Sequence, residues 1–272
     1  MEKVTFGDNL PGYVCGDPTR PGVVVVQEWW GVTETIQAHA LRISREGYRV
    51  LVPDLYKGAL GVNVEEAHHL MTNLDWDAAT GTTTTRERAI AVTRATIHTP
   101  EKLTTTRPRL FFPTFSVEIS AAVSHLRSAG SAKVGIVGFC MGGALSLIAA
   151  KACGVDCACA FYGVPDVAKC DPATLAVPVL GHFGALDKLE GFSDAKTAKR
   201  LADALRESPR AEDSAVHMYD RVGHAFANES PAPHASFEAR EETQGFPVYD
   251  ADAAATAWAR TFAFFEKHLG KE

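Results

Sequence analysis

Apolar residues in this chain gather in short continuous blocks separated by longer amphipathic stretches. Val23–Val26 is an unbroken β-branched run. Such a run reads as a strand buried on both faces, the mark of a parallel sheet. Gln27–Val32 follows as a turn. Thr33–Glu46 then has helical composition, with Gly47 as its stop. Tyr48–Val52 is a second strand, ended by Pro53. Val134–Val137 is a third, followed by Gly138 and a helix to about Lys151. Cys157–Tyr162, Val177–Phe183 and Val216–Tyr219 read as three more strands, with a helix over Ala195–Ser208 between the last two. Ala253–Phe265 closes the pattern as a helix, with Ala254, Trp258, Phe262 and Phe265 on one face. Strands alternating with helices specify an α/β fold with a mostly parallel central sheet and helices on both faces. Chemistry in such sheets gathers at the carboxyl ends of the strands.

Thr80–Phe115 breaks the alternation. It lies between helical stretches near Glu65–Leu74 and Val117–Ser128, is rich in Thr, Arg and Pro, and has little periodicity. The expectation is one domain over residues 1–272 with a surface insertion at 80–115.

Composition narrows the function classes. The chain has 272 residues, 46% hydrophobic and 22% charged, enough apolar surface for a core without disulfide staples. The net charge is -6, with Lys and Arg spread along the sequence. No basic stripe points to nucleic acid, and no apolar run reaches the length of a membrane span. Met1–Asn9 lacks the charged-then-apolar pattern of an export signal, so the expectation is a cytoplasmic monomer with reduced thiols. Cys153, Cys157 and Cys159 cluster without the spacing of a metal site, and the expectation is no metal and no cofactor.

The candidate chemistry follows the strands. Gly138-Phe139-Cys140-Met141-Gly142-Gly143 joins a strand to a helix. This is the cysteine form of a nucleophile elbow, in which glycines permit a sharp turn that lifts the thiol above the sheet. The thiol also stands at a helix N-terminus, where the dipole favours an anion. Asp187 and His224 follow the next strands, each on a loop with a glycine. Nucleophile, acid and histidine come in the order that α/β-hydrolase folds use. A carboxylate on the second imidazole nitrogen fixes the tautomer and stabilises the imidazolium. Glu28 follows the first buried strand and points to the same crevice. The backbone N–H groups of Trp29 and Met141 are placed to form an oxyanion hole.

Together, QEWWGV, VPDLY, GFCMGG, HFG-x-x-D and GHAF, in this order and spacing, resemble the dienelactone hydrolase family, the carboxymethylenebutenolidases and their relatives. The resemblance runs from about Gly12 to His268, excepting 80–115. It implies an α/β-hydrolase with a Cys140–His224–Asp187 triad, acting on small esters or lactones through an acyl-thioester. It implies that Glu28 receives the thiol proton, and that the resting thiol is held away from the histidine until substrate binds. Two family arginines that bind a substrate carboxylate are replaced here, by Asn228 four residues after the histidine and by Val64. Without that charge-assisted clamp, dienelactone itself is not the expected substrate. Trp30, Tyr162, Asn228 and His68 are the candidate substrate-binding residues. The competing reading is a non-catalytic or sensor-like relative that keeps the elbow for packing.

Overall fold

The computed structural model describes residues 1–76 and 118–270. The 80–115 insertion therefore lies outside the described residues. One eight-stranded sheet organises the rest, in the order β1-β2-β4-β3-β5-β6-β7-β8. The strands are β1 (Glu2–Phe6), β2 (Leu10–Cys15), β3 (Gly22–Val26), β4 (Arg49–Pro53), β5 (Val134–Phe139), β6 (Cys157–Phe161), β7 (Val179–Gly184) and β8 (Ala215–Tyr219). β3 through β8 pair in parallel, while β1 and β2 add antiparallel at one edge.

The hydrophobic blocks become strands because both faces of the sheet are covered. Val24 and Val26 face one core and Val23 and Val25 the other, all fully buried. Burying one such side chain contributes about 1.5–3 kcal/mol. Helices α3 (Glu118–Ser128), α4 (Met141–Ala152) and α5 (Ala195–Arg206) pack on the first face. Helices α1 (Glu34–Arg45) and α7 (Ala251–Leu269) cover the second. Two more helices, α2 (Val64–Asn73) and α6 (Phe237–Gln244), lie in the long connections. Local signals set the ends. Thr33 and Asp250 cap α1 and α7 by accepting from the N–H groups of Ile36 and Ala253. Gly47, just past α1, takes a left-handed φ of 94°.

Phe262 is half-buried and packs beside Trp258 against the second core, while the fully inward stripe of α7 runs through Trp258, Thr261, Phe265 and Leu269. The sequence pattern did not mark β1, β2 or α6. Among the described residues, no helix is long and apolar enough to cross a membrane. All six cysteines are free, and only Cys15 is not buried.

Candidate active site

Four loops at the carboxyl ends of β3, β5, β7 and β8 converge on one pocket. The β5–α4 turn brings Cys140, with φ of 55°. A left-handed backbone at a residue with a Cβ is strained, and it persists only where its surroundings enforce it. Here the neighbouring glycines allow the turn to close. A Cβ on Gly138 would overlap the Gly142 carbonyl, and one on Gly142 would overlap the carbonyls of Val26 and Gln27. Met141 is the first residue of α4, so its N–H is one of those an α-helix leaves without an internal partner.

Asp187 follows β7 in a tight turn. Its Oδ1 accepts from the Leu189 N–H at 3.0 Å, and its Oδ2 lies 2.7 Å from His224 Nδ1. The Asp187 side chain is fully buried. His224 and Cys140 both open on the same pocket. Burial opposes charge on this imidazole, but Cys140 and Asp187 outweigh it and push His224 up to about 10. The structure thus joins His224 to Asp187 and sets both His224 and Cys140 on the wall of one pocket. Sequence reasoning missed Ser193, a fully buried hydroxyl 3.2 Å from the same His224 nitrogen.

Glu28 sits at the end of β3, 3% exposed. Its Oε1 accepts from Asn228 Nδ2 at 3.0 Å. Burial pushes the Glu28 carboxyl up, and the Asn228 hydrogen bond pulls it back. Asn228 Oδ1 in turn accepts from the Tyr162 hydroxyl at 3.2 Å and stands 3.1 Å from His39 Nε2. Burial brings His39 down to about 4, so its ring is neutral at pH 7. The Asn228 amide thus links Glu28, on its NH2 side, to Tyr162 and His39, on its oxygen side.

The pocket is a cavity of about 640 Å³ lined by Glu28, Trp29, Trp30, Cys140, Met141, His224 and Asn228. Its walls are mostly apolar, with Leu189, Phe192 and Phe246 among them beside the Trp29–Trp30 pair of touching rings. Arg240 also lines it, a residue the sequence pattern did not single out. The structure does not bring every expected residue to the cavity. His68 is exposed on α2, where Met71 is the lining residue instead, one turn further along the helix. Tyr162 is fully buried behind the wall, tied up by Asn228. A shallower hollow of about 480 Å³ beside α2 contains none of the converging residues. No group of three or more His, Cys, Asp or Glu among the described residues is arranged to hold a metal ion.

The sequence profile of the dienelactone hydrolase family matches residues 10–269. The chain belongs to that family. It is thereby a carboxylic ester hydrolase of the α/β-hydrolase superfamily. It is 28% identical to protein usf of Aquifex pyrophilus, over 97% of this chain and 95% of that one. It is 26% identical to the carboxymethylenebutenolidase of Pseudomonas putida, over 80% and 81%. The fold superposes on a dienelactone hydrolase-like promiscuous phosphotriesterase from metagenomic libraries with a TM-score of 0.64 at 20% identity, covering 99% and 98% of the two chains. It superposes on the dienelactone hydrolase of Anabaena variabilis with a TM-score of 0.55 at 18% identity, covering 98% and 96%.

Proposed function

We propose that this dienelactone hydrolase family member cleaves small, uncharged esters or lactones with Cys140 as nucleophile and an acyl-thioester as intermediate. The observation that supports this reading is the Asp187–His224 hydrogen bond, with His224 and Cys140 opening together on one mostly apolar cavity. Cys140 gives its proton to Glu28, and the thiolate sulfur attacks the ester carbonyl. The resulting oxyanion takes hydrogen bonds from the Trp29 and Met141 amides. Collapse breaks the bond to the leaving oxygen, which receives the proton from His224. Water, deprotonated by His224, then attacks the thioester and frees the sulfur. Asp187 holds the imidazole and its charge throughout. Glu28 returns the proton to the sulfur at the end of the cycle.

Trp30 and Asn228 line the path of the substrate. Asn228 stands in the place of a family arginine and spends its amide on Glu28, His39 and Tyr162. A substrate carboxylate therefore gains no guanidinium there. The test is turnover of p-nitrophenyl acetate by the wild type and by Cys140→Ala. The variant should lose activity by about a thousandfold or more. Full activity in the variant would remove Cys140 from the mechanism.

A further inference from the structure

Among the described residues, Arg240 is the only lysine or arginine that the fold buries, at 2% exposed. Removing a guanidinium from water is costly unless the surroundings repay it. Here backbone carbonyls do so. Nη2 donates to the Ala225 carbonyl at 2.8 Å and to the His224 carbonyl at 3.4 Å. Nη1 reaches the Ser230 carbonyl at 3.5 Å. These contacts fall on the loop that carries His224, at the point where Ala225 takes a strained φ of 57°. A second observation is independent of these bonds. Helix α6 is eight residues long, capped by Ser236 and ended at Gly245, and Arg240 is its one buried residue. The helix delivers an arginine to the histidine loop and little else to the core. Arg240 and Glu28 line the same cavity, and Glu28 is the carboxylate that acts most strongly on the guanidinium.

We propose that Arg240 is a positioning residue of this site: its guanidinium clamps the His224–Ala225 backbone so that the imidazole meets Cys140, and it supplies the positive charge opposite Glu28. This inference rests on the triad proposed above. The planar fork joins the His224–Ala225 carbonyls, through Nη2, to the Ser230 carbonyl, through Nη1, a span that a lysine's single ammonium does not reproduce. The buried charge also favours the Glu28 carboxylate, against the burial that disfavours it.

The test compares wild type, Arg240→Gln, Arg240→Lys and Cys140→Ala on p-nitrophenyl acetate across pH, with thermal melts to establish folding. In R240Q, kcat should fall about tenfold to a hundredfold while KM stays within about twofold. The acid limb of its kcat/KM profile should move up by about one pH unit, because a carboxylate without its countercharge takes a proton more readily. R240K should restore the acid limb but not kcat. Wild-type kcat and pH profile in folded R240Q would overturn the proposal. So would a loss confined to the KM of carboxylate-bearing esters, which would make Arg240 a substrate ligand. Should R240Q not fold, R240K decides alone: wild-type kcat in that variant removes the clamp. Activity in C140A would overturn the triad itself, a result distinct from an indifferent Arg240 in a Cys140-dependent enzyme.

Discussion

His224 and His39 are both nearly fully buried, yet their neighbours drive them in opposite directions. Burial alone discharges an imidazole. His39 follows that rule, since its main partner is a neutral amide. His224 does not, because Asp187 and Cys140 flank it. The consequence is measurable by NMR titration of the ring signals. In wild type, His224 should stay protonated up to about pH 10. Cys140→Ala removes one of the flanking groups and should lower the midpoint. An unchanged midpoint would mean that the thiol does not act on the imidazole. At this scale, Cys140, Asp187 and His224 were legible because each follows a strand inside a short motif. Ser193, His39 and Arg240 were not. His39 meets Asn228 across 189 residues of sequence, and no local pattern announces such a contact.

The element that does most for the site is the β5–α4 elbow. Its glycines are dictated by distance, since the first turn of α4 passes directly over Gly138 and beside the end of β3. Gly138→Ala should therefore cost more than about 2 kcal/mol of stability, read from denaturant midpoints, and should abolish ester turnover. A variant as stable and active as wild type would show that the elbow yields without strain. The buried strands were legible for a physical reason. Two-sided burial demands continuous Val, Ile and Ala, a pattern that survives without tertiary information. β2 was hidden because Pro11 and Gly12 break the apolar pattern, although both lie near the start of a strand that pairs with β1 on one side and β4 on the other. α6 was hidden because it has no apolar stripe. Ser236 before it and Gly245 after it are its only local signatures.

Over the whole molecule, right-handed crossovers put every chemically active loop at one end of the sheet, and this much follows from the alternation of strands and helices. Depth has a second consequence, for stability. His39 goes from about 6.5 in an unfolded chain to about 4 when folded, so between those values the unfolded state binds the extra proton. Its contribution is complete above pH 6.5 and is lost as pH falls toward 4, to the extent of about 3 kcal/mol. Urea unfolding across that window should show the loss. His39→Gln, which keeps a hydrogen-bond partner for Asn228 but does not titrate, should flatten it. Equal slopes in the two proteins would contradict the neutral, buried state of His39. The catalytic proposal is tested most directly by acid quench of wild type during turnover of p-nitrophenyl acetate, followed by peptide mass mapping. The expected result is an acetyl group on Cys140 that is absent from Cys140→Ala. An acetyl group on a different residue, with Cys140→Ala turning over at the wild-type rate, would contradict it.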